Sequence, residues 1–372
     1  MIEQQTSQGG GQDTPRLPAR PEGPRLPIAN ASKELGIFVL LVVLCIFVTI
    51  MSHGTFIHAD NLQNTSRLIG LYGIFSIGAG IVIITGGIDL SVGSLFALLG
   101  VLLSMMLTEW HWPWPLAVLA VLAGGALIGV FHGFLITRVG LQPFIVTLCG
   151  LLFYRGIARF IANDGTMGFG EAHGFEKLQA LATNSVGLQT LHFSLPFWHH
   201  IPFPMLSFGS KGVPVPFLLL VLVAIIMGIV LHRSVYGRYL YAVGRNEEAA
   251  RYSGVNSRRI IAGAYVISGL LAGLAAILIA FYTNSISPSS HGQSYELYGI
   301  AAAVLGGCSL RGGEGSIIGI LIGAALLQVL QNLVNLLNIP SSLNFAVVGA
   351  VILLGVITDE LIKRRNARKV KA

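Results

Sequence analysis

The chain has 372 residues, 53% of them hydrophobic and only 10% charged, against roughly 25% charged in soluble domains. Its mean hydropathy of +0.74 and its stock of apolar side chains are enough for nine or ten crossings of roughly 20 residues each. That excludes a soluble globular enzyme, a disordered chain and a nucleic-acid-binding domain. The net charge is +7, from 23 basic and 16 acidic residues, and in such a chain the placement of charge says more than the sum.

Residues 1–34, rich in Gly, Pro, Gln and Arg, are expected to be a disordered tail. No short apolar stretch with a small-residue cleavage site opens the chain, so no removable signal peptide is expected. Charge-free runs then predict an all-α polytopic membrane domain over 35–362. Its ten spans are placed near 35–52, 68–87, 90–108, 115–137, 142–162, 213–232, 260–282, 296–309, 316–337 and 343–361. The eighth is short for a crossing and suits a broken or re-entrant segment. With ten spans both ends lie on one side, and that side collects 18 of the 23 Lys and Arg residues, including the basic tail 363–372. Both termini are therefore expected in the cytoplasm, and the 163–212 insert outside. Trp110, Trp112 and Trp114 suit an interfacial belt. The insert's His173, His192, His199 and His200 lack a metal-ligand spacing, and Cys45, Cys149 and Cys308 sit singly in apolar runs. Neither a metal site nor a disulfide framework is expected.

Four segments carry chemistry. In Thr85-Gly86-Gly87-Ile88-Asp89-Leu90-Ser91-Val92-Gly93-Ser94 two glycines break a helix. Asp89 then either caps the next helix in a tight inner turn or belongs to a broken helix bordering a solute path with Ser91. Arg155 and Arg159 fall one helical turn apart near the outer end of the fifth span, where they snorkel to headgroups or line an outward vestibule. In 233–259, Asn246 suits an N-cap, Glu247 and Glu248 the first turn, Glu247 and Arg251 an i,i+4 pair, and Gly254 the stop. With Ala249 and Ala250 allowing close approach, 246–254 is expected to be a docking element. Lastly, Tyr295-Glu296 through Ser316 combines small residues with Gly-Gly pairs that faintly echo the Asp89 segment. No G-x-x-x-x-G-K-[ST] phosphate loop and no H-E-x-x-H occur, and the G-x-S-x-G-like stretches lie in apolar runs without a partnered base, so neither an ATP site of that kind nor an integral membrane enzyme is expected.

The order of Gly86-Gly87-Ile88-Asp89-Leu90-Ser91-Val92-Gly93-Ser94, Tyr236-Gly237-Arg238 to Gly254, and Glu296-Leu297 to Gly315-Ser316 resembles the permease subunits of bacterial ATP-binding-cassette importers for monosaccharides, over roughly 35–362. The resemblance implies a paired permease, a homodimer in the simplest case. It also implies a cytoplasmic cassette ATPase that uses the ATP, a periplasmic sugar-binding protein and residence in the inner membrane, with no cofactor on this chain. By the same resemblance Glu248-Ala249-Ala250 through Gly254 docks the ATPase. Asp89, Ser91, Arg155 and Glu296 are the candidates from the residues themselves to border the solute path. Permeases for nucleosides or branched-chain amino acids share this architecture. A self-sufficient ion-coupled carrier is the reading from another class, and it would place ionisable residues at mid-membrane, where the spans offer only Asp89.

Overall fold

The protein is an all-α polytopic membrane protein. A computed structural model describes residues 28–170, 175–186, 212–340, 343, 346–350 and 353. Seven helices among them are long and apolar enough to cross a bilayer: α1 (Ile28–Met51), α2 (Ala59–Ile84), α4 (Trp114–Phe134), α5 (Pro143–Ile161), α7 (Val215–His232), α10 (Ser257–Thr283) and α12 (Ile317–Leu336). Two apolar helices are shorter, α3 (Val92–Thr108) with 17 residues and α11 (Tyr295–Leu305) with 11. Nine of the ten predicted runs are thus helical. The tenth, 343–361, lies mostly outside the described residues, of which 346–350 and 353 are helical, and 1–27 and 363–372 lie wholly outside them. The first helix begins at Ile28, seven residues before the expected boundary.

Prolines in the first turn of α4, α5 and α7 fit helix starts, because their missing N–H falls where no intrahelical acceptor exists. Arg138 lies in a π-type turn, Leu135–Val139, that ends α4. Between α7 and α10 stand two polar helices, α8 (Val235–Arg245) and α9 (Glu247–Tyr252). At the opposite end of the bundle the described part of the insert holds α6 (Phe175–Thr183) and one strand of each of two small antiparallel pairs. These are β1 (Met167–Gly168) with β4 (Ser285–Ile286), and β2 (Ser185–Val186) with β3 (Val213–Pro214). Most of the insert's remainder, 187–211, is outside the described residues.

α2 and α10 form the centre of the bundle, buried along most of their length, while α1 is covered along almost none of it. The α4–α10 seam is close enough that a side chain on Gly129 would strike the Tyr265 carbonyl and the Val266 Cα. Small residues at four-residue spacing permit that approach where lipid supplies no hydrophobic drive between helices. At the α6 end, Asn61 and Asn332 exchange amide hydrogen bonds of 3.1 and 2.7 Å between α2 and α12. At the α9 end, the Tyr241 hydroxyl of α8 donates to the Gly315 carbonyl ahead of α12, at 2.7 Å.

Candidate functional site

The polar break after α2 lies inside the bundle. Gly86 takes a left-handed φ of +84°, which only glycine adopts without penalty, and the chain runs non-helically to Ser91. The Asp89 carboxylate is 3% exposed. Its Oδ1 accepts from the Ser91 N–H at 3.0 Å and the Ser91 hydroxyl at 2.7 Å, and its Oδ2 accepts from the Ser268 hydroxyl at 3.1 Å. The cap position of α3 belongs to Ser91, so Asp89 closes a local turn instead of capping the helix. Ser268 stands eleven positions past Ser257, the start of α10, or roughly 17 Å at 1.5 Å per residue. That is about the middle of a roughly 30 Å hydrocarbon core. Asp89 therefore lies inside the bundle beside the middle of α10, and the Gly86 turn that leads to it sits at the α9 end beside the Arg311 carbonyl.

Side chains from three helices complete the surroundings. The Tyr154 hydroxyl and His132 Nε2 are 2.8 Å apart, and the hydroxyls of Thr147 and Tyr265 donate to the Ile88 carbonyl at 3.2 and 3.4 Å. All four are buried. The sequence reading missed them, although His132 and Ser268, polar residues alone in long apolar runs, were the available signal.

The second break follows α10. The loop 287–294 descends along α3: Ile286 lies against Gly100, and Gly292 against Gly93 and Phe96. Seven residues of α3, roughly 10 Å, separate those levels, so α11 starts at mid-depth and runs only toward the α9 end. The eighth segment thus passes from the α6 end to the α9 end as a descending loop followed by a short helix: it is broken, not re-entrant. Arg155 holds the loop. Its guanidinium donates to the carbonyls of Pro288 at 3.0 Å, His291 at 2.6 Å and Gly93 at 3.3 Å. It does not snorkel: two thirds of the way along α5, it turns inward onto this loop. Arg159 points outward into an exposed pair with Asp164, at 2.6 and 3.1 Å, of the kind that contributes little to stability. Glu296, in the first turn of α11, lies so close to Gly93 that a Cβ there would collide with its carboxylate.

Asp89, Ser91, Arg155 and Glu296 thus converge on one stretch of backbone, 89–93. Two short helices, α3 and α11, meet there N-terminus to N-terminus. Each carries a carboxylate near its positive dipole end, and the Arg155 guanidinium is within electrostatic reach of Glu296. The expectation that the span centres hold no ionisable group besides Asp89 is corrected: Arg155 and Glu296 lie inside the bundle with it, and His132 is buried in the last turn of α4. The faint echo between the glycine pairs also has a spatial counterpart. The Gly313 N–H donates to the Ile84 carbonyl at 2.8 Å, and the Gly86 turn lies beside the Arg311 carbonyl.

The polar connection is more elaborate than the sequence suggested, because α8 precedes the expected short helix. The Ser234 hydroxyl caps α8 by accepting from the Gly237 N–H at 3.2 Å. α9 has its expected ends: Asn246 Oδ1 accepts from the Ala249 N–H at 2.9 Å, and Gly254 has φ +84°. Two details differ. Glu247 accepts from the Ser257 hydroxyl at 2.9 Å, tying α9 to α10, and makes no ion pair with Arg251. Ala250 is 5% exposed and packs into this chain's own core, so it is not a contact surface. The outward face consists of Glu248, Ala249, Arg251 and Tyr252, and Tyr252 is 85% exposed.

Short apolar helices meeting end to end inside a bundle of membrane-length helices are the frame of a polytopic membrane protein. The chain belongs to the family described as branched-chain amino acid transport system / permease component, whose model matches residues 61–356. It is 35% identical to the ribose import permease protein of Bacillus subtilis (strain 168), over 91% of this chain and 96% of that protein. It is 37% identical to the ribose import permease protein of Escherichia coli (strain K12), over 88% and 93%. The xylose transport system permease protein of the same strain is 31% identical, over 90% and 94%. No solved structure matches the chain.

Proposed function

We propose that this chain is the membrane-spanning permease subunit of an ATP-driven importer in the bacterial inner membrane. In this reading it forms the path for a monosaccharide delivered by a periplasmic binding protein, pairs with a second copy of itself, and has both termini in the cytoplasm. A separate cassette subunit binds and hydrolyses the ATP, and this chain carries no cofactor. The observation that carries the reading is α9: a self-capped helix presenting Tyr252 and Arg251 outward, on a chain with no phosphate loop of its own. Its link to the path is short. α8 ends at Gly244-Arg245, where Gly244 touches the Ile84 carbonyl that closes α2 and the Gly313 N–H ahead of α12. Movement of a docked ATPase would thereby reach both broken segments. The names of the ribose and xylose relatives support a sugar.

Two other readings have specific support. The family's description favours a branched-chain amino acid, and the mid-depth ionisable groups favour an ion-coupled carrier. One experiment separates all three. The permease is reconstituted in proteoliposomes with its ATPase and binding protein, and uptake of pentoses, hexoses and leucine is measured with and without ATP and with an ionophore. ATP-dependent, ionophore-insensitive uptake of a sugar is the expected result. Leucine uptake, or ion-driven uptake without ATP, overturns the proposal.

A further inference from the structure

The loop 287–294 is irregular backbone that descends to mid-depth, and its outward side chains are polar. Ser289, Ser290 and Gln293 are exposed, whereas Pro288, His291 and Gly292 between them are buried. The Ser287 and Ser289 hydroxyls lie 3.2 Å apart, while no described residue uses the Ser290 hydroxyl or the Gln293 amide. His291 Nε2, buried beside them, also has no hydrogen-bond partner among the described residues. Exposed hydroxyl and amide groups on non-helical backbone do not face hydrocarbon, where each unmet polar group costs several kcal/mol. They are tolerated at this depth only against protein or water.

We propose that Ser289, Ser290 and Gln293 line the aqueous solute path and contact the solute as it passes, so that this loop sets the permease's own selectivity. The chemistry favours a neutral polyhydroxylated molecule. The loop's free groups are uncharged donors and acceptors, suited to sugar hydroxyls. The cation nearest the loop, Arg155, is spent on the Pro288, His291 and Gly93 carbonyls and lies within electrostatic reach of the Glu296 carboxylate. A zwitterionic amino acid would find no free charge on the loop to pair with either of its ends. Arg155 is accordingly a positioning residue: it fixes the loop and leaves the solute to Ser289, Ser290 and Gln293. The solute class rests on the sugar-importer reading, but the path-lining role does not.

The test uses the full transporter with Cys45, Cys149 and Cys308 replaced by Ala. Ser290→Cys and Gln293→Cys are compared with Ile225→Cys, exposed on the apolar face of α7, using a charged, membrane-impermeant methanethiosulfonate. Because thiolate forms in water and not in lipid, the two loop cysteines should react at least about tenfold faster than the control, and the reaction should block uptake. Reaction at the Ile225→Cys rate overturns the path-lining role whichever solute is carried. Separately, Gln293→Leu should lower sugar uptake by roughly tenfold, the worth of one neutral hydrogen bond, while Gln293→Asn keeps most of it and both variants hold the ATPase. Undiminished transport by Gln293→Leu overturns the contact with the solute. If the unmodified transporter moves leucine and no sugar, the sugar reading fails while the accessibility result stands.

Discussion

Replacing Asp89 by Asn and by Ala separates its hydrogen bonds from its charge. The carboxylate accepts three bonds, two from Ser91 and one from Ser268, at 2.7–3.1 Å in a buried site. In Asp89→Asn the amide oxygen can keep both Ser91 bonds. The new NH2 group can donate to the Ser268 hydroxyl, which rotates to accept. No bond need be lost, and Asp89→Asn should fold, assemble and transport nearly as the parent does. In Asp89→Ala all three donors lose their acceptor. At about 1 kcal/mol for each bond, and more where a donor stays buried and unmet, the loss is about 3–4 kcal/mol. That is a large part of a typical folding free energy. Membrane abundance and thermal stability of the purified permease, read beside ATP-driven uptake, give the answer. Low abundance is expected for Ala only. An Asn variant that is abundant and assembled yet inactive would refute the reasoning and assign the transport role to the charge itself.

Four further outcomes follow from the geometry. Arg155→Lys keeps the charge but not the fork that reaches three carbonyls, so uptake should fall while the ATPase still co-purifies; normal uptake would dismiss the clamp. Gly93→Ala places a Cβ against the Glu296 carboxylate and the Gly292 carbonyl, and it should reduce assembled protein in a pull-down far more than Gly254→Ala. At Gly254 a Cβ meets nothing within 4 Å, and only the left-handed backbone costs, about 1 kcal/mol. Tyr252→Ala should leave the permease abundant and release the ATPase, whereas Ala250→Trp should lower abundance itself, since Ala250 is buried in its own chain; equal behaviour of the two would deny that α9 has distinct inner and outer faces. Ser257, buried and bonded to Glu247, is a poor topology reporter. Lys177→Cys and Arg258→Cys, both exposed and at opposite ends of the bundle, should differ in labelling by an impermeant reagent, Lys177→Cys reacting from outside. Equal external labelling would overturn the assignment of sides.

Much of this architecture follows from local rules that leave marks in the chain. Long charge-free runs become helices because nothing else satisfies the backbone in lipid, and the nine described ones overlap the predicted runs, although α2 begins nine residues early and takes in Asp60 and Arg67. The start of α9 at Asn246 and its stop at Gly254 were equally legible, because a cap and a left-handed glycine are decided by a few adjacent residues. Tertiary structure alone decided where those pieces point. Arg155 looks from its position like a snorkelling residue, and only the descent of 287–294 beside α5 supplies the three carbonyls that draw it inward. Glu247 seems placed for Arg251, yet packing against α10 offers it the Ser257 hydroxyl. Ala250 and Tyr252 are two residues apart on a short helix, and the neighbouring core determines which is buried and which is exposed. The meeting of α3 with α11, more than 200 positions apart in sequence, rests on glycines whose value is the backbone they let approach. A sequence shows that a residue is small, and the fold determines what comes close to it.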